Sequence, residues 1–206
     1  MPGWRCAGFF RGVLAGGLVA ALSGCYVPVN FFTDVEITRS GHYRIAFDGY
    51  LVWAPLHDQL RRGALTPAEE RDSVARIVTD LKRDGSLREA RYMQRGRFKV
   101  NWQRSGDLTR TRMVSFPRQS DKIVTLRFVK TTGDVILEGT SVSSARARQL
   151  VEAGLDIAGE VRVRTDARVV SHNATAVTDK GVHGRVYAWK IRSAFDPPPR
   201  LVIAAR

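Results

Sequence analysis

Apolar residues recur along this chain at two periods, and the elements change where the period changes. Val35 and Ile37 alternate with polar neighbours, Gly41-His42 punctuates a turn, and Tyr43, Ile45, Phe47, Leu51 and Trp53 share one face at period two. That spacing predicts a first hairpin, ended by Pro55 and followed by a short helical stretch over residues 56–62. The period then lengthens. Thr66-Pro67-Ala68-Glu69 combines a cap, a proline suited to the first helical position and a carboxylate that completes a capping box. Behind it Val74, Ile77, Val78 and Leu81 recur at i, i+3, i+4 and i+7. This predicts a helix with one apolar stripe, with Glu70, Arg71, Arg76 and Lys82 toward solvent and Gly85 at its end.

Alternation returns in strands predicted over residues 87–93 and 97–103; in the second, Phe98, Val100 and Trp102 oppose Arg97, Lys99, Asn101 and Gln103. Residues 104–122 are polar and basic, with Arg110, Arg112 and Arg118, and hold only a brief strand at 113–116. Strands at 123–130 and 135–139 flank Thr131-Thr132-Gly133-Asp134, a hairpin signal. Ser143 or Ser144 then caps a second helix that turns Ala147, Leu150 and Val151 inward and stops near Gly154. Beyond it Val161 and Val163 alternate with Arg162 and Arg164, residues 168–171 read as strand, and Tyr187, Trp189 and Ile191 oppose Lys190 and Arg192. Pro197-Pro198-Pro199 forms a stiff extended link before a last edge strand at 201–204. No internal repeat is visible. The expected fold class is α+β, a largely antiparallel sheet with two helices packed on one face.

Neither period governs the first 34 residues. An apolar run over residues 12–22, too short for the roughly 20 residues that span a bilayer, lies behind Arg5 and Arg11 and ends in Leu22-Ser23-Gly24-Cys25. This arrangement resembles the lipobox of bacterial lipoprotein export signals. It implies acylation of the Cys25 sulfur and cleavage that makes Cys25 the first mature residue. Residues 1–24 are then a signal peptide, 25–34 an acylated tether and 35–206 a single α+β domain. Ten tether residues reach about 35 Å at most, and Phe31 and Phe32 either lie in the lipid interface or lead into the core. Two or more acyl chains hold a protein on a membrane durably, at roughly 0.8 kcal/mol per buried methylene. Tyr26 stands where inner-membrane lipoproteins of enteric-type bacteria often carry Asp, so resemblance to that sorting rule favours the outer membrane in a cell with two membranes.

Charge and cysteine usage narrow the classes of partner. The formal charge of +13 falls to +11 when Arg5 and Arg11 leave with the signal. Such a balance suits an anionic lipid or an acidic envelope polymer, and export argues against nucleic acid. Outward basic positions recur on several predicted strands at Arg97, Lys99, Arg127, Arg162, Arg164, Lys190 and Arg192. They form either one anion-binding patch or a solvated face in an arginine-rich chain, depending on which strands are neighbours. The two cysteines are Cys6, in the signal, and Cys25, at the acylation site, so no internal disulfide and no thiolate metal cluster is expected.

Candidate chemistry is sparse. His42, His57, His172 and His183 show no metal-ligand spacing, and no metal or cofactor is expected. Gly139-Thr140-Ser141-Val142-Ser143 begins like a nucleophile elbow but lacks the second glycine, and capping explains its serines better. No phosphate loop, paired-cysteine motif or zinc-protease motif occurs. A non-catalytic domain is the expectation.

Near the end, Val169-Val170-Ser171-His172-Asn173 is followed by Tyr187-Ala188-Trp189-Lys190-Ile191. Together with the lipobox, the early hairpin and the helix, this order resembles the LppM-like bacterial lipoproteins. Ala167-Arg168 and Ala174 depart from that family's Pro-Gly before the valine and Gly after the asparagine. On physical grounds Asn173 is expected to close a turn and Trp189 to fill the core, and the resemblance implies a cell-envelope domain that binds a lipid or amphiphile, with no catalytic residues. Two other classes stand beside this reading: a scaffold lipoprotein docking another envelope protein, and a hydrolase with a site assembled from distant positions. An apolar cavity would favour the first class, an unpaired sheet edge the second and a cleft with a perturbed acid or histidine the third.

Overall fold

The computed structural model describes residues 26–117 and 122–204. The lipobox residues Leu22, Ser23, Gly24 and Cys25 lie outside them. The first hairpin joins β1 (Tyr26–Ile37) to β2 (His42–Trp53) in a register that runs from Tyr26 opposite Trp53 to Ile37 opposite Tyr43. Its turn is closed by Gly41 at φ 86°, a conformation that glycine adopts without a Cβ penalty. Helix α1 (Ala54–Arg61) follows, then α2 (Pro67–Lys82). The capping box of α2 is formed as its sequence predicts. Thr66 Oγ1 accepts from the Glu69 N–H at 3.3 Å, and the Glu69 carboxylate accepts from the Thr66 N–H at 2.8 Å.

The chain continues through β3 (Leu87–Tyr92), β4 (Arg97–Asp107), the single-turn α3 (Leu108–Thr111), β5 (Met113–Phe116), β6 (Val124–Val129) and β7 (Asp134–Gly139). After α4 (Ser144–Glu152) come β8 (Ala158–Thr165), β9 (Arg168–His172), β10 (Ala176–Asp179), β11 (Arg185–Ile191) and β12 (Arg200–Ala204). Among the described residues these strands make two sheets rather than one. Seven strands run in the order β10-β11-β8-β1-β2-β4-β3, and five in the order β5-β6-β7-β12-β9. Every pairing is antiparallel except β1 with β8.

The two sheets share a core. Phe47 and Trp102 are partners across β2 and β4, and Phe116 from the smaller sheet reaches both rings at centroid distances of 4.7 Å. Tilted aromatic contacts of this kind add to the burial of their surface. Val74, Ile77, Val78 and Leu81 of α2 pack on this main cluster, whereas Ala147 and Leu150 of α4 join a second cluster with Val27, Val29 and Val52. The fold is therefore mixed and mostly antiparallel as expected, but with four α-helices among the described residues, and with α2 and α4 on different clusters rather than together.

The largest departure from the sequence reading is at the start. Residues 26–34 are not a tether but the first nine residues of β1, deep inside the larger sheet between β2 and β8. Tyr26, Val27, Pro28 and Val29 are all buried. Tyr26 and Phe31 belong to the main cluster while Val27 and Val29 belong to the second, so both faces of the strand are covered. A strand buried on both faces does not alternate. A bulge with Asn30 at φ 47° interrupts the register between Val29 and Phe32, which hides the period further. The bulge delivers Phe31 between Gly49 of β2 and Gly159 of β8. A Cβ on either glycine would fall 2.5 Å from a Phe31 side-chain atom.

Smaller differences have similar causes. The strand at 201–204, expected at an edge, is β12 and lies between β7 and β9. Val151, expected inward on α4, is 44% exposed. Strand β10 carries no buried residue, so no apolar period announced it.

Candidate functional site

Where β1 enters the sheet, an apolar cavity of about 440 Å³ opens beside it. Its floor is made by Tyr26, Val27, Pro28 and Phe31 of β1 with Val161 of β8. One wall is the β7–α4 connection and the first turns of α4, from Gly139 to Ser143 with Arg146 and Leu150. The other is the link from β11 to β12, with Ile191, Ala194 and the three prolines Pro197, Pro198 and Pro199. Lys122, Ile123 and Val124 close it where β6 begins.

Backbone hydrogen bonds hold these walls. The Gly139 N–H donates to Pro199 O at 2.8 Å and the Thr140 N–H to Ile123 O at 3.2 Å, so three connections are tied together. The Ala194 N–H donates to Asp156 Oδ1 at 2.8 Å. Asp196 Oδ2 accepts from the Arg192 N–H at 2.7 Å and the Ser193 N–H at 3.4 Å, fixing the turn in front of the prolines. Ser143 caps α4 by accepting from the Arg146 N–H at 3.3 Å. The segment from Gly139 to Ser143 thus combines capping with the rim of a cavity, a use that its sequence did not announce.

The seven basic positions singled out from the sequence do not form one surface. Arg97 and Lys99 on β4, Arg162 and Arg164 on β8 and Lys190 on β11 do face outward from the same sheet. Strands β1 and β2 separate the first two from the other three, roughly 14 Å to β8 and roughly 19 Å to β11 at the ordinary strand spacing. Arg127 lies on β6 in the other sheet, and Arg192 lies beyond the end of β11. Acidic residues interleave on the larger sheet. Arg164 pairs with Glu36 at 2.8 Å, Arg162 with Glu160 at 2.5 Å, and Lys99 with Asp48. Lys190 stands opposite Glu160 in the register. The hydrogen bond from Lys99 holds the Asp48 carboxyl below its ordinary pKa, against a partial desolvation. Arg97 and Lys99 also lie over the Tyr50 ring, at 5.6 and 5.4 Å from its centroid, and Arg162 lies over Phe32 at 5.0 Å. The face is a lattice of both signs in which most of the cations have partners.

Trp189 and Asn173, the residues that carry the family resemblance, are joined directly. The buried Trp189 indole Nε1–H donates to Asn173 Oδ1 at 2.7 Å; the same oxygen accepts from the Arg200 N–H at 2.8 Å, and Asn173 Nδ2 donates to Pro198 O at 2.9 Å. The asparagine therefore anchors the proline link that walls the cavity. His57 likewise spans two carbonyls, with Nδ1 2.9 Å from Arg95 O and Nε2 3.1 Å from Ala153 O. Among the described residues no group of three His, Cys, Asp or Glu side chains is placed to hold a metal ion. No described helix is long and apolar enough to cross a membrane.

Sequence reasoning missed Lys122, Val142, Arg146 and Ile157 as cavity residues, because each is unremarkable in its own segment and the segments meet only in the fold.

No family model and no curated protein matches the chain. Among solved structures, the chain is similar to the folded domain of the LppM protein of Mycobacterium tuberculosis, determined by NMR. The similarity covers 88% of this chain and 91% of that one, with a TM-score of 0.43 and 16% identity.

Proposed function

We propose that this protein is a lipid-anchored cell-envelope protein whose domain binds an amphiphile in the cavity at the start of β1, without catalysing a reaction on it. The observation that carries the reading is the position of the cavity. Its floor begins at Tyr26, adjacent in sequence to the predicted acyl acceptor Cys25, and consecutive Cα atoms are about 3.8 Å apart. Acylation of Cys25 would therefore hold the cavity floor one residue from the lipid anchor, with no tether between the anchor and β1. Its volume lies in the lower part of the range of about 300–1,000 Å³ typical of sites for small organic ligands.

A chain leaving water for such a site gains about 0.8 kcal/mol per methylene. A chain leaving a bilayer gains little, because its surroundings stay apolar. Selection among membrane lipids therefore rests on polar contacts at the rim.

Two experiments test the two halves of the reading. Cys25→Ala should accumulate with its signal attached and without fatty-acid label, and a processed, labelled Cys25→Ala protein would refute the anchor. An organic solvent extract of the purified full chain should contain a non-covalent amphiphile at a defined ratio to protein, and a clean extract would refute the cavity reading.

The scaffold alternative is favoured by one observation. Strand β10 is an edge with all four residues exposed, and Val177 on it and Val182 just beyond it are 46% and 95% exposed. A partner docked there would pair with β10 and protect its amides from exchange.

A further inference from the structure

We propose that the cavity selects an amphiphile with an anionic head group, held by Arg146 and Lys122; this rests on the amphiphile reading above and specifies its ligand. Arg146 lines the cavity, yet its Nη2 is closed off from solvent and has no hydrogen-bond partner among the described residues. A guanidinium carries five donors, and a buried donor left unpaired is costly enough that native structures rarely keep one without a use. A turn of the side chain toward the cavity would bring Nη2 to a carboxylate or phosphate oxygen bound there, the partner it lacks.

Three further observations point to an anion. Lys122 lines the same space, and among the described residues neither cation makes an ion pair. Asp196, the one carboxylate among the lining residues, is turned to the Arg192 and Ser193 N–H groups of its own turn. Arg146 also sits in the first turn of α4, which holds no acidic residue. A cation there opposes the helix dipole, so helix stability does not explain its placement. With an anion bound, the helix N-terminus and the guanidinium would act in the same direction.

The rest of the lining is suited to a hydrocarbon chain, with Phe31, Leu150, Ile157, Val161, Ile191 and Ala194. The volume of about 440 Å³ has room for a hydrocarbon chain. Fatty acids and lysophospholipids share the required chemistry of a hydrocarbon chain with an anionic group.

The test uses the purified full chain in nanodiscs of neutral phosphatidylcholine, with three photoreactive probes of equal chain length: a diazirine fatty acid, a diazirine lysophosphatidylglycerol and a diazirine fatty alcohol. Cross-links to peptides spanning residues 142–150 and 191–199 are counted by mass spectrometry and normalised to labelling of the disc lipid. At least one anionic probe should label these peptides about tenfold or more above the alcohol. Arg146→Gln should remove that preference, Lys122→Gln should reduce it and Arg146→Lys should keep part of it, with unchanged far-ultraviolet circular dichroism in each. Preference for the acid over the lysophospholipid, or the reverse, identifies the source of the head group. Equal labelling by all three probes, or an Arg146→Gln protein that keeps the preference, overturns the head-group assignment and leaves the cavity reading standing. Labelling by none of them overturns both.

Discussion

Replacing Trp189 by alanine removes a core side chain whose indole bonds Asn173, the residue that anchors the link walling the cavity. Trp189 is 3% exposed on β11, faces Val161 of β8 in register and belongs to the main core cluster. Truncating a buried tryptophan costs about 3–5 kcal/mol through lost transfer energy and the space left behind. The hydrogen-bond share is smaller, about 1 kcal/mol, because Asn173 Oδ1 keeps the Arg200 N–H at 2.8 Å and is not stranded. For a chain of this length each kcal/mol moves the midpoint by roughly 2–4 °C, so Trp189→Ala should lower Tm by about 6–20 °C. Trp189→Phe, which keeps most of the packing, should lose about half as much or less. Thermal unfolding followed by near-ultraviolet circular dichroism checks both. A shift under about 3 °C for Trp189→Ala would refute the core assignment, and equal losses for the two variants would place the energy in the hydrogen bond instead.

Thr66→Ala should cost about 1 kcal/mol by opening the capping box of α2, and should raise the pKa of Glu69, which the Thr66 N–H and hydroxyl hold below its ordinary value; denaturant unfolding and an NMR titration read the two effects. Asn173→Ala takes one acceptor from both the Trp189 indole and the Arg200 N–H and should cost about 1–2 kcal/mol, with a shift in tryptophan emission that an unlinked Trp189 would not show. Tyr92 should ionise at about 12, raised first by burial and then by its hydrogen bond to the Glu70 carboxylate. Its folded pKa is thus above the ordinary value near 10, so the stability it contributes is complete below about pH 10 and is lost as pH rises toward 12. Absorbance titration should show this inflection, and Glu70→Gln should move it down; an unmoved inflection would contradict the assigned pairing.

Local signals in the sequence proved informative where one segment suffices to fix the structure. The capping box of α2, the alternation of Phe98, Val100 and Trp102, and the hairpin around Gly133, which sits at φ 76°, each depend on neighbours a few residues away. What escaped the sequence depends on distant partners. Tyr26 to Val29 reads as an aperiodic tether until β8 and β2 are placed on either side of it. The outward basic residues read as a candidate patch until strand order sets Glu36, Asp48 and Glu160 among them. Asn173 and Trp189, noticed through a family resemblance, do meet, but their shared role in holding Pro198 and Arg200 needed the fold. The cavity itself draws on five separate stretches of chain, and no pattern within one of them implies the others.

The most direct measurement is the ligand content of a protein whose cavity has been filled. Val142 lies in the β7–α4 connection, half-buried against the second cluster, and lines the cavity, so Val142→Trp can occupy the space without replacing a fully buried residue. Wild type and Val142→Trp, purified as full chains from the same membranes, are extracted and their non-covalent amphiphile measured per mole of protein by mass spectrometry, with Tm recorded for each. The expected result is an amphiphile present in wild type and depleted about tenfold or more in Val142→Trp, a loss of at least about 1.4 kcal/mol of binding, while the melting transition stays cooperative. An equal amount of amphiphile in the two proteins would contradict binding in this cavity.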